Sequence, residues 1–182
     1  MPIMDTLKHR RPNVSVLSGS LPKNCGRYGT DKVLNEDYNE MLQILSDNKV
    51  KFLVVGAYAM GAYGYPRATG DFDIWIEAST ENAKKVYKSL AEFGAPLEEV
   101  NEQTFCELGI MFQIGVAPRR IDIITKIDGV EFDKAFLQKY QIQIDDLDVP
   151  FISKDNLIKN KLSTGRDKDK LDADYLQSNP SM

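Results

Sequence analysis

The sequence predicts an α/β (α+β) architecture, a small mixed sheet flanked by helices, and three observations carry that prediction. Short β-branched apolar runs alternate along the chain with stretches whose apolar residues recur at helical spacing. One run, Asp71-Phe-Asp-Ile-Trp-Ile-Glu77, alternates strictly, which is the period of a strand. The 182 residues are 42% hydrophobic, enough for one core. Residues 31–182 are expected to form a single domain with C-terminal helices. Residues 1–30 hold Pro, Ser, Asn and Gly without sustained periodicity and read as an irregular leader.

From about Lys32 to Asn48, Leu34, Tyr38, Met41, Leu42 and Leu45 fall on one helical face. Lys51–Gly56 is a short apolar run closed by glycine, a buried strand, and Ala57–Tyr63 reads as a short helix. Pro66 and the glycines around it make 64–70 a loop before the alternating strand 71–77. Ser79 or Thr80 can cap a helix to about Phe93, with Val86, Leu90 and Phe93 inward. Ile110–Ile114 and Arg120–Lys126 read as a hairpin joined across Gly115-Val-Ala-Pro118. A short helix over 131–139 and two edge strands, Ile142–Ile144 and Val149–Ile152, follow. Ser153 then caps a helix to about Leu162, and Gly165 separates it from a last helix, about Lys168–Leu176. The order suggests a sheet covered largely on one side.

Several chemistries are excluded by composition. The only histidine is His9, in the leader, which argues against Ser-His-Asp and Cys-His catalysis and against His-rich zinc sites. Cys25 and Cys106 lack CxxC spacing and are too few for a disulfide scaffold. No run approaches the ~20 apolar residues needed to span a bilayer, and no apolar stretch of signal-peptide length opens the chain. A soluble cytoplasmic protein with no membrane partner is expected. Net charge is −4, against a generally basic nucleic-acid binder. Basic residues nevertheless gather in the leader and again over 154–170, where Lys154, Lys159, Lys161, Arg166, Lys168 and Lys170 face only Asp155, Asp167 and Asp169. By itself such a run reads as a solvated face.

Catalysis would therefore rest on carboxylates, lysines and a bound metal. Asp71 and Asp73 lie two apart on one strand, so both side chains leave the same face, with α-carbons about 6.7 Å apart. Phe72, Ile74 and Ile76 take the opposite face, and burying them fixes the register that aims the two acids. Asp122, in Arg120-Ile-Asp-Ile-Ile124, is a third acid set between β-branched residues, a costly placement unless it is paired or binds metal. Three carboxylates on neighbouring strands make a two-metal phosphoryl-transfer site, and oxygen-only ligation suits Mg²⁺ or Mn²⁺ rather than zinc. Glu77 shares the Asp71 face but lies near the strand end, where a surface role is expected. The glycines at 56, 61 and 64 do not match GxGxxG, and no GxxxxGK[ST] loop occurs. They either let backbone N–H groups approach a triphosphate or pack a helix closely on a strand.

Phe52–Ile76 as a whole resembles the nucleotidyltransferase superfamily with the DNA polymerase beta-type catalytic core. That family has a strand ending in Gly-Gly or Gly-Ser, a short helix, Asp-x-Asp on the next strand and a third acid on a later one, matched here by Asp122. Tyr65-Pro-Arg-Ala-Thr69 leading into the acids is similar to small bacterial members, among them stand-alone proteins, antibiotic nucleotidyltransferases and partners in toxin–antitoxin pairs. The tail Asn160-Lys161…Gly165-Arg166-Asp-Lys-Asp169 is similar to the segment that ends such proteins, so the basic run becomes a candidate triphosphate wall. Ala57 departs from the usual Gly or Ser, keeping a backbone donor and losing a hydroxyl. The resemblance covers about residues 50–177. It implies metal-dependent transfer of a nucleoside monophosphate from an NTP to an acceptor hydroxyl, with release of pyrophosphate. Asp71, Asp73 and Asp122 would hold Mg²⁺ (or Mn²⁺). Gly56, Ala57, Arg67, Thr69, Lys161 and Arg166, with Lys168 a weaker choice, would bind the nucleotide; Arg67 and Thr69 could equally pin the loop. The acceptor, an RNA end, a protein hydroxyl or a small molecule, stays open, with 95–109 (Phe105 included) and 128–148 as candidate lining. The alternative is a catalytically inactive protein of the same fold that binds a protein partner, as an antitoxin-like component; retention of all three acids argues against it.

Overall fold

The computed structural model describes residues 34–179, so the expectations for the leader, with His9 and Cys25, lie outside the described residues. The chain runs α1 (Glu36–Asp47), β1 (Phe52–Val54), α2 (Gly56–Ala62), β2 (Asp71–Ile76) and α3 (Thr80–Phe93). A 3-10 turn (Glu102–Cys106) follows, then β3 (Met111–Ile114), β4 (Arg120–Ile124), α4 (Phe132–Leu137), β5 (Tyr140–Ile144), β6 (Leu147–Phe151), α5 (Lys154–Ser163) and α6 (Asp167–Ser178). The strands form one mixed sheet in the order β3-β4-β2-β1-β6-β5, flanked by the helices as expected. Among the described residues no helix is long and apolar enough to cross a membrane.

Local chemistry sets the helix ends. Asn35 accepts from the backbone N–H of Tyr38 at 2.9 Å and starts α1. Ser79 accepts from Asn82 N–H at the start of α3, and Gly94, at φ 84°, closes that helix in the left-handed region. Ser153 takes the N-cap place of α5, but its hydroxyl accepts from Asn156 Nδ2 at 2.9 Å rather than from the backbone.

The face of β2 carrying Phe72, Ile74 and Ile76 is fully buried, on the order of 2 kcal/mol per side chain. Tyr38 of α1 stacks on Phe72 at 4.7 Å between centroids, and Tyr58 of α2 meets both rings edge-on. The opposite face carries Asp71, Asp73 and Trp75. It is not left bare: Phe132 of α4 packs edge-on against the buried Trp75 at 5.0 Å. The sheet is therefore covered on both faces at the Trp75 end.

A departure concerns β6. The sequence puts Val149–Ile152 at an edge, yet β6 is internal, hydrogen-bonded antiparallel to β5 and parallel to β1. Pro150 within β6 lacks a backbone donor, a feature otherwise usual on edge strands. The parallel contact lies beyond that proline, where Val54 pairs with Phe151 and Ile152 N–H donates to the Val54 carbonyl at 3.0 Å. The edges of the sheet are β3 and β5.

Candidate active site

The parallel pairing of β2 with β4 builds the site. Asp71 lies opposite Arg120 and Asp73 opposite Asp122, and residues facing each other across a sheet point to the same side. One oxygen from each of Asp71, Asp73 and Asp122 falls within 4.8 Å of the others. Asp122 is buried, at 2% exposure, whereas Asp71 and Asp73 are half-buried at the open end of the face. Burial, reinforced by the like charges of Asp71 and Asp122, pushes the Asp73 carboxyl up to about 6; Lys161 and Arg120 oppose that rise.

Sequence reasoning missed Arg120 as a member of this cluster. Its Nε donates to Asp122 Oδ1 at 2.8 Å, and its Nη2 donates to Asp122 Oδ2 at 3.0 Å and to Asp71 Oδ2 at 2.7 Å. The signal was present: Arg120 stands two residues before Asp122 and so shares its face. Its reach to Asp71 depends on the register with β2. Gln113 of β3, opposite Asp122, sits 3.4 Å from both carboxylate oxygens.

Backbone geometry locks the acids in place. Gly56 has φ 66°, and a Cβ there would stand 1.9 Å from Asp73 Oδ2, so only glycine fits between the end of β1 and that carboxylate. Val55 N–H donates to the Asp73 carbonyl at 3.1 Å, and Ala57 follows in the first turn of α2. Thr69 donates to Asp71 Oδ1 at 2.5 Å. The Tyr38 hydroxyl reaches the carbonyls of Pro118 (3.1 Å) and Arg120 (3.3 Å), tying α1 to the start of β4.

The basic tail is a wall of ion pairs rather than a row of free cations. Lys161 is buried, with Nζ 2.8 Å from Asp169 and 3.0 Å from Asp172. Arg67, in the loop before β2, reaches Asp172 at 2.8 Å, which joins that loop to α6. Tyr65 and Tyr175 reinforce the joint by stacking at 4.1 Å. Burial pushes the Asp169 carboxyl up, but hydrogen bonds from Lys161, Thr164 and Arg166 outweigh it and hold it at about 2. Arg166 contacts Asp169 while its side chain stays 72% exposed, and Lys168 is exposed. Glu77, half-buried, pairs with Lys51 at 2.7 Å and accepts from Ser79 at 2.6 Å, away from the acid cluster. Phe105 is fully buried and meets Phe112 edge-on, so it belongs to the core and not to an open acceptor site.

No protein-family model and no curated protein matches the chain. Solved structures do. A candidate nucleotidyltransferase from Thermotoga maritima (TM1012) superposes with a TM-score of 0.54 at 16% identity, over 78% of this chain and 91% of that one. The lincosamide antibiotic adenylyltransferase LnuA, bound to lincomycin, gives 0.52 at 17% identity, over 81% and 99%. The antibiotic-resistance factor ANT(2'')-Ia gives 0.54 at 13% identity, over 80% and 83%. At such identities the likeness speaks for architecture, and the chain has the fold of the nucleotidyltransferases.

Proposed function

We propose that the chain transfers a nucleoside monophosphate from an NTP to an acceptor hydroxyl and releases pyrophosphate, using a divalent cation held by Asp71, Asp73 and Asp122. The observation that carries this reading is the convergence of three carboxylates, within 4.8 Å, on register-matched strands of this fold. The donor set fits the cation. It is all oxygen, as Mg²⁺ or Mn²⁺ prefers, and a positively charged guanidinium already lies among the same oxygens. When bound, such a cation supplies charge to the phosphates and acidifies a hydroxyl.

The chain's own residues account for the rest. Thr69 and Arg120 fix the direction of Asp71, and Gly56 leaves Asp73 the room to face the cluster. The backbone of Gly56 and Ala57 and the exposed guanidinium of Arg166 are the nucleotide contacts we assign. Lys161 and Arg67, both committed to Asp172, act by holding the wall and the 64–70 loop, and Lys161 adds a field that favours ionised Asp73. In the reaction the acceptor oxygen bonds to the α-phosphorus, the bond to the β-phosphate oxygen breaks, and pyrophosphate departs. The acceptor proton passes to Asp122. Positioning and charge stabilisation supply nearly all the acceleration, as is general for phosphoryl transfer. Of the three acceptor classes, a small molecule is favoured by the neighbours, since LnuA was solved with lincomycin and ANT(2'')-Ia is an antibiotic-resistance factor.

Thermal shift with each of the four NTPs, in Mg²⁺ or EDTA, tests the donor site without knowledge of the acceptor. Filling a site to about 100 times its Kd stabilises the fold by roughly 2.7 kcal/mol. The expected result is a rise that needs both Mg²⁺ and Asp73, lost in Asp73→Asn, with pyrophosphate release appearing on a panel of hydroxylated antibiotics. No shift with any NTP at millimolar concentration refutes the proposal.

A further inference from the structure

We propose that Arg120 is a positioning residue that stands in for a cation in the metal-free chain, aiming Asp71 and Asp122 while keeping the affinity for bare divalent ions low. The inference rests on the metal-binding reading above and assigns it a residue and a consequence.

Three carboxylates drawn to within 4.8 Å of one another repel, and a metal-free site needs a counter-charge to stay assembled. Arg120 provides it with little freedom of placement. It stands directly opposite Asp71 in the β2–β4 ladder and two residues before Asp122, so its stem rises from the same face as the acids. Its planar fork then spans both carboxylates, taking both oxygens of Asp122 and one of Asp71. A lysine ammonium, a point charge, could not hold the two carboxylates in a fixed mutual direction in that way. Tyr38 holds the Arg120 backbone from behind, so the guanidinium is anchored at both ends.

The same contacts make Arg120 a competitor. Asp122 Oδ1, Asp122 Oδ2 and Asp71 Oδ2 all accept from the guanidinium, and an entering cation must share or displace those bonds. Two positive charges then stand within one cluster, and the binding of each weakens that of the other. Thermodynamic reciprocity follows: removing the Arg120 charge should tighten cation binding even as it weakens the metal-free fold.

The test is a Mn²⁺ titration of the full chain, read by electron paramagnetic resonance, beside melting curves in EDTA and in saturating Mn²⁺. Arg120→Gln is expected to melt lower in EDTA and to bind Mn²⁺ about tenfold more tightly, within the range usual for coupled sites. Its melting gap between EDTA and Mn²⁺ therefore widens. Arg120→Lys keeps the charge and loses the fork, so it should retain the wild-type Mn²⁺ affinity while melting lower in EDTA. A purely structural arginine would lower both melting points of Arg120→Gln equally and leave its affinity unchanged, which overturns the proposal. Should Arg120→Gln fail to fold in EDTA, refolding in Mn²⁺ upholds the proposal and failure in both conditions overturns it. Absence of Mn²⁺ binding in wild type and both variants defeats the metal reading itself, and this inference with it. Binding in wild type with no gain in Arg120→Gln defeats this inference alone.

Discussion

Gly56→Ala isolates the contact on which the acid cluster depends. The added methyl would stand 1.9 Å from Asp73 Oδ2 and 2.8 Å from its Cγ, where ordinary contact begins at 3.4 Å. The carboxylate must retreat by more than an ångström, or β1 must move. The backbone adds its own term, since φ 66° costs an L-residue roughly 1–2 kcal/mol. For a chain of this size each kcal/mol lowers Tm by about 2–4 °C, so a fall of about 2–8 °C is expected from the backbone alone. The functional loss should be larger than the loss of stability, because misplacing a reacting group by about 1 Å costs on the order of 10²-fold in rate. Gly61→Ala, five residues on in α2, is the matched control. Its methyl would meet only Pro66 Cα at 3.8 Å, and relief of glycine's chain entropy in a helix gains roughly 0.5–1 kcal/mol. Calorimetry paired with a pyrophosphate-release assay reads both variants. Wild-type Tm and activity in Gly56→Ala would refute the argument that this position sets Asp73.

Asp73→Asn should stabilise the metal-free chain at neutral pH. The folded chain holds the Asp73 proton up to about pH 6, whereas the unfolded chain releases it near 3.8, so stability falls as pH rises across that interval. The variant lacks this slope and should be more stable by about 1–3 kcal/mol above pH 6, measured by urea denaturation in EDTA; an identical pH profile would contradict the buried, like-charged setting of the carboxyl. Lys161→Met strands the buried Asp169 and Asp172 without their shared cation and should cost about 3–5 kcal/mol. Adding Asp169→Asn and Asp172→Asn should recover most of that loss, and a triple variant as unstable as the single one would show that packing, not charge, holds the wall.

The residues that pack in short-range patterns were legible in the sequence. Strict alternation gave β2 and put Asp71 and Asp73 on one face, and the lone acid among β-branched residues marked Asp122. Ser79 marked the start of α3 by ordinary capping chemistry, whereas its closure at the left-handed Gly94 is a finding of the structure. What sequence could not carry was long-range register. Arg120 touches Asp71 only because the two stand opposite one another across a parallel ladder, 49 residues apart in the chain. Lys161 and Asp169 lie in a run that by itself reads as a solvated face, because composition cannot reveal that Lys161 pairs with both Asp169 and Asp172 inside the core. The inner position of β6 was likewise hidden, because its one parallel contact, Val54 with Phe151, joins segments about 100 residues apart in the chain.

The hydroxyl of Tyr38 has a bearing on where a smaller working piece of this protein could begin. The stretch that carries the family likeness starts near residue 50, and a fragment cut there would look complete by motif. It would lack α1, and with it the ring stacked on Phe72 and the hydroxyl that holds the carbonyls of Pro118 and Arg120. Phe72 sits between Asp71 and Asp73, so uncovering its face loosens the strand that bears both acids. The first helix is thus the back support of the acid cluster on the far side of the sheet, and dissection of this chain should start no later than Asn35.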